Sequence, residues 1–318
     1  MSKSCVPNCD RHQSDIDMMS PLLLKACIMP IKAMLMALSV AIIWGINMLT
    51  VKGAVGEIPP FMLTAIRFGA VAVLLVPFTR MPRGRMGKLA IISVTFGSLH
   101  FGVLFFALSM IDAGPVAIII LLGVPFSSML ATYFFNDRLG WKRLSGMALA
   151  FIGVTIMFWD PTMTDLQLPL LLVVLAAFMW AVANVMIKKL GDIDTFQLNG
   201  WMALMAAPQL LALSLFFEPH AFDAVLAASW VAWANLSFTV VMSSIVAYGF
   251  WYHLLKTQDV NSVVPWSLLA PVISVLGSFV VFDETFSALK IVGSVIVLAG
   301  VGVIMLRKPV QRKTQGMD

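Results

Sequence analysis

The side chains best suited to chemistry in this sequence stand inside apolar stretches. Arg67 lies in PPFMLTAIRF, and a guanidinium stays charged at every physiological pH. Placing it at the centre of a membrane helix costs on the order of 2.5–3.5 kcal/mol, so it should face protein rather than lipid. Two roles suit it there: binding a substrate carboxylate, or pairing with helix-end carbonyls while reaching outward. Lys52 stands near the same level and reads as a vestibule charge. His100 follows Gly97 and Ser98 midway along its stretch; it serves a structural hydrogen bond or a proton or substrate contact. Trp44 with Asn47, and Trp180 with Asn184, are spaced three and four residues apart, so each pair shares a helix face. Such faces suit a polar cavity walled by aromatics, or helix packing glued by amides. Tyr248 and Trp251 are one turn apart and fit the same cavity or an interfacial aromatic belt. Cys5, Cys9 and His12 supply three ligands but no fourth for zinc; no metal and no cofactor is expected.

The solvent around these residues must be lipid. Of 318 residues 60% are hydrophobic and 12% charged, against about 45–50% and about 25% in soluble domains. Mean hydropathy is +0.94. A soluble enzyme, a disordered chain and a nucleic-acid binder are excluded: the net charge of +5 is spread between apolar runs and forms no basic patch. Three cysteines are too few for a disulfide framework.

A membrane helix needs roughly 20 apolar residues. Ten such runs are present, at 33–55, 59–78, 89–111, 114–135, 144–159, 168–188, 196–217, 230–254, 260–281 and 289–306. Their length and the lack of two-residue alternation mean helices rather than a barrel. With the N-terminus inside, every Lys and Arg except Lys52, Arg67 and Lys290 falls on cytoplasmic segments or tails. The opposite loops carry Asp112, Asp160, Asp165, Glu218 and Asp223. This bias predicts that both termini are cytoplasmic, in a bacterial inner membrane. Residues 1–32 read as a cytoplasmic extension, with Met29 as an alternative start, and 307–318 as a cytoplasmic tail.

The sequence repeats. Trp-x7-Lys occurs at Trp44–Lys52 and Trp180–Lys188, and Phe-x10-Gly-x6-Gly-Val at Phe135–Val154 and Phe282–Val301. Two units of five helices follow, 33–159 and 168–306. Five is odd, so the second unit enters the membrane from the opposite side, the inverted repeat of many secondary transporters. Gly146-x3-Ala150 with Gly153, and Gly293 with Gly300 and Gly302, form close-packing seams that would serve folding or a homodimer. Pro125, placed inside the fourth helix, and Pro265 and Pro271, placed inside the ninth, are expected to kink those helices and help gating.

Trp44-Gly45 with Asn47 and Lys52, PPFMLTAIRF with Arg67, and the stretch from Pro265 and Pro271-Val272 through Asp283-Glu284 to Gly293 resemble the EamA family of the drug/metabolite transporter superfamily. YGFWYHLL from Tyr248 is similar to that family's exporters of O-acetylserine and cysteine. The resemblance covers residues 33–306 and implies a ten-helix fold of two EamA repeats and efflux of small metabolites across the inner membrane, most readily amino acids or their derivatives. The partners would be the metabolite and the lipid bilayer, with no nucleic acid. Import, or exchange of something like a nucleotide sugar, is the alternative within transport. An intramembrane enzyme would need paired acids, a His/Asp cluster or a Ser/His dyad at depth, and only His100 is there. None of the 16 acidic residues falls mid-membrane, which argues against coupling through a buried carboxylate.

The charge bias generates a topology prediction. A reporter fused after residue 318 should report a cytoplasmic C-terminus; activity only on the far side would contradict the ten-helix count.

Overall fold

The computed structural model describes residues 29–135, 140–258 and 263–305. Cys5, Cys9 and His12, most of the 1–32 extension, Arg138 and the 307–318 tail lie outside the described residues. The described chain is helical. Ten helices are long and apolar enough to cross a membrane: α1 Ile31–Val55, α2 Pro60–Phe78, α3 Met86–Met110, α4 Ala113–Phe134, α5 Trp141–Phe158, α6 Gln167–Leu190, α7 Thr195–Phe217, α8 Trp230–Trp251, α9 Pro265–Phe282 and α10 Ala288–Met305. Large side chains such as Phe78, Phe216 and Leu226 lie more than three-quarters exposed, as a lipid-facing surface requires.

The loops after α1, α3, α5, α7 and α9 share one end of the bundle, here the odd-loop end. The remaining loops share the even-loop end. The closest pairings are α5 with α10 and α2 with α7, then α1 with α8 and α3 with α6, and α1 with α9 and α4 with α6. Exchanging each helix for its counterpart five places along maps these pairings onto themselves, the pattern that two related five-helix units predict.

Residue choice explains the close contacts. A Cβ on Gly153 would stand 2.7 Å from the Gly293 carbonyl, and one on Gly146 would stand 2.7 Å from that of Gly300. Four of the seam glycines are therefore used inside the chain, holding α5 against α10, and are not open to a second copy.

Three kinds of helix irregularity position the site. α3 widens into π-helical turns at Ser93–Gly102 and α8 at Thr239–Ala247; each is the third helix of its half. Such turns shift side chains around the axis and recur at functional sites. α4 and α9 tighten into 3₁₀ turns at Ile120–Leu122 and Val264–Leu268. Pro125 and Pro271 each follow at the third residue of the α-helical part. A proline clashes with the carbonyl four residues back, which for both falls within the tightened turn. Pro265 stands in the first turn of the 3₁₀ segment Val264–Leu268, a position where its missing N–H is harmless. The proline within α7 is Pro208, which the sequence reading passed over.

The seam predicts unequal glycine tolerance. Gly153→Ala should destabilise the purified protein by about 1–3 kcal/mol, while Gly69→Ala, with nothing within 4 Å of its Cβ, should leave the melting temperature unchanged. Equal melting of both variants would show that the α5–α10 contact is not tight.

Candidate substrate site

Arg67 lies two turns into α2 and is only 2% exposed. Its Nε and Nη2 donate to the Ser244 hydroxyl at 3.2 and 3.1 Å. That hydroxyl donates in turn to the Thr239 carbonyl, five residues back, at 2.9 Å. The wide turns of α8 thus hold the group that holds Arg67. The Phe101, Phe105 and Phe68 rings lie 4.6, 5.4 and 5.6 Å from the guanidinium carbon. Nη1 is buried with no hydrogen-bond partner. Burying an uncompensated charge costs several kcal/mol, and a desolvated cation–π contact returns about 2 kcal/mol. An anion at Nη1 would remove the remaining cost.

A cavity lies beside Arg67. Its polar lining is Arg67, Asn199, Ser244 and Tyr248, and its apolar lining is Phe68, Val71, Phe96, Phe101 and Met202. The side chains come from α2, α3, α7 and α8. The volume, about 20 Å³, has room for roughly one water, so the structure is a closed one and any metabolite requires the helices to part. Asn199 is 9% exposed, and its Nδ2 is buried without a partner.

Of the residues singled out in the sequence, Arg67 and Tyr248 line this cavity. Tyr248 packs edge-on to Trp44 with ring centres 5.4 Å apart, and Trp44 meets Trp251 at 5.2 Å, so these three form an aromatic ladder leading away from it. His100 stacks on Phe96 and crosses Phe101, two lining rings, at 5.3 and 4.5 Å. Its Nδ1 lies 2.8 Å from the Ala176 carbonyl. A carbonyl only accepts, so Nδ1 carries the proton, and His100 ties α3 to α6 behind the lining. Lys52 donates to the carbonyls of Leu108 and Ile111 at 3.0 and 2.7 Å, closing the C-terminal end of α3, where a cation is favoured. Asn47 has its Oδ1 buried and unpartnered but is not among the lining. Trp180 packs on Gly123, joining α6 to α4, and Asn184 is half-buried. Neither Trp–Asn pair borders the Arg67 cavity. Asn199, Ser244 and the lining phenylalanines were missed; a Ser-Ser pair and a lone Asn within apolar runs were the available signals.

The odd-loop end is closed by carboxylates. Glu218 accepts from the backbone N–H groups of Phe61 and Met62 at 2.9 and 3.0 Å, at the start of α2. Glu284 accepts from those of Ala113 and Gly114 at 2.7 and 3.0 Å, at the start of α4. Glu57 accepts from the Ser229 N–H and hydroxyl at 2.6 and 2.7 Å, just before α8. Asp160 accepts from Thr162 and from the Ser287 hydroxyl, just before α10. The first three each join one five-helix unit to the other, and Asp160, in the linker, joins the second. Helix starts leave unsatisfied N–H groups and a positive dipole end, so carboxylates fit. At the even-loop end, exposed hydrogen bonds to backbone carbonyls join the units: the Arg85 guanidinium donates to the Asp192 carbonyl and the Gln197 amide to that of Arg80.

A ten-helix membrane bundle with an unsatisfied cation in a closed central cavity is a transporter rather than an enzyme. The chain belongs to the EamA-like transporter family, which matches it twice, over residues 31–159 and 167–306. A probable amino-acid metabolite efflux pump of Escherichia coli (strain K12) is 29% identical over 274 residues, 83% of this chain and 92% of that one. Its namesake in Salmonella typhimurium is 28% identical over 275 residues, again 83% and 92%. The uncharacterized transporter YoaV of Bacillus subtilis is 24% identical over 284 residues, 85% and 96%. A solved crystal structure shares the fold with a TM-score of 0.60 at 18% identity, covering 86% of this chain and 96% of that one.

The clasps predict an acid effect. The Ser229 N–H and hydroxyl hold the Glu57 carboxyl below its ordinary pKa. For Asp160, loss of hydration pushes up, but the bonds from Ser287 and Thr162 and the Lys290 charge outweigh it, and the net direction is down. A depressed pKa means the clasp is fully formed above the ordinary carboxylate value and is lost as pH falls below it, about pH 4. Spin labels at positions 56 and 226 should move apart on acidification through that range, and Glu57→Gln should show the longer distance at neutral pH. A distance constant with pH and unchanged in the variant would contradict the clasp.

Proposed function

We propose that this protein exports small carboxylate-bearing metabolites, amino acids or their derivatives, across the bacterial inner membrane by alternating access. The observation that carries this reading is the Arg67 guanidinium: permanently charged, buried, held in place by Ser244, left with one unpartnered nitrogen, and lining a cavity. A carboxylate is its natural complement. The relatives named as amino-acid metabolite efflux pumps support the same substrate class and direction.

The cycle follows from the two ends. With the termini cytoplasmic, the carboxylate clasps are on the outer side and the exposed single hydrogen bonds to carbonyls on the inner side. Substrate enters as the even-loop end parts, its carboxylate reaches Arg67 Nη1, and the rings exclude water. Rocking of residues 33–159 against 168–306 then releases the clasps and opens the cavity outward. The wide turns of α3 and α8 and the 3₁₀ turns of α4 and α9 are the places where this bending is least costly, because their regular hydrogen bonding is already altered.

Efflux from proteoliposomes tests the reading. Arg67→Lys should reduce flux about tenfold to hundredfold, the loss of one charge-assisted hydrogen bond worth about 1.5–3 kcal/mol, and Arg67→Met should abolish it. Wild-type flux from either variant at equal reconstitution would remove Arg67 from the site.

A further inference from the structure

We propose that the cavity selects organic monoanions with an aromatic or bulky apolar body, such as 2-oxo acids or N-acyl amino acids, over the parent zwitterionic amino acids. This rests on the reading of Arg67 as the carboxylate site and narrows it. Arg67 is the only lining residue with a formal charge, and no Asp or Glu lines the cavity among the described residues. The four odd-loop carboxylates are already committed to helix starts. A zwitterion would bring an ammonium group with three donors into this space.

The hydrogen-bonding capacity of the lining points the same way. A hydroxyl offers one donor and two acceptor lone pairs. Ser244 uses all three: it accepts twice from Arg67 and donates once to Thr239. The buried lining atoms without a partner are Arg67 Nη1 and Asn199 Nδ2, both donors. Asn199 Oδ1 offers a single acceptor to the three N–H groups of an ammonium. The site is therefore rich in donors and poor in acceptors. A carboxylate with an adjacent ketone or acyl oxygen presents only acceptors and satisfies both open donors. An ammonium would be desolvated without a counter-charge, which is strongly unfavourable in a closed site. Phe68, Phe96 and Phe101 with Val71 and Met202 supply the apolar wall for the rest of the molecule.

The test is proteoliposome efflux with 2-oxo-3-phenylpropanoate, N-acetylphenylalanine, phenylalanine and phenethylamine, four probes sharing one ring. The two monoanions should half-saturate at concentrations roughly tenfold or more below phenylalanine, and phenethylamine should not be carried. Asn199→Asp keeps the shape and adds an acceptor charge, and it should shift selectivity toward phenylalanine. Phenylalanine carried as well as the monoanions by the wild type would overturn the inference while leaving the transport reading standing. Unchanged selectivity in Asn199→Asp would also overturn it. Flux of none of the four, nor of other amino acids, would overturn both.

Discussion

A guanidinium that cannot lose its charge, enclosed in a lipid-embedded protein without a carboxylate partner, is the constraint around which the centre of this molecule is built. Arg67 would be untenable against hydrocarbon. It is tolerated because α8 delivers a hydroxyl to two of its nitrogens and because α2 and α3 surround it with three rings. Two of these contacts, those of Ser244 and Phe101, come from departures from regular helix. Ser244 stands where wide turns put it and is tied to a carbonyl five residues back. Phe101 comes from the matching wide segment of α3. The geometry leaves one nitrogen unsatisfied, and the proposed binding site rests on that deficit.

The second constraint acts at the helix ends. Every helix begins with N–H groups that lack partners, and near lipid they are costly to leave open. At the odd-loop end the protein answers with Glu57, Asp160, Glu218 and Glu284, drawn from elsewhere in the chain. The satisfaction of local backbone groups thereby also fastens one five-helix unit to the other. A closure built this way is strong while the carboxylates are ionised, yet it can be undone by small displacements, because each clasp depends on two short bonds. Lys52 contributes at the same end by capping α3.

The ten spans were legible because lipid demands long apolar runs, and over the described residues the runs match the helices to within a few residues. Arg67 was legible because a charge inside such a run is anomalous. Its partners were not: Ser244 and Asn199 lie far away in sequence and reach it only through the packing of α7 and α8, and π-helical turns leave no periodic signal. The Trp–Asn pairs share helix faces as their spacing requires, but spacing does not say which neighbour a face meets. Trp180 meets Gly123, and Trp44 meets Tyr248. The glycine seams were visible as seams; that four of their glycines close α5 on α10 inside one chain required the fold.

The most direct test of the account is a cryo-electron microscopy structure of the protein in lipid nanodiscs, saturated with 2-oxo-3-phenylpropanoate. The account predicts a carboxylate oxygen about 3 Å from Arg67 Nη1, the ring against Phe68, Phe96 and Phe101, and Ser244 still holding the other side of the guanidinium. Ligand density elsewhere in the bundle, with Nη1 left as it is here, would contradict it.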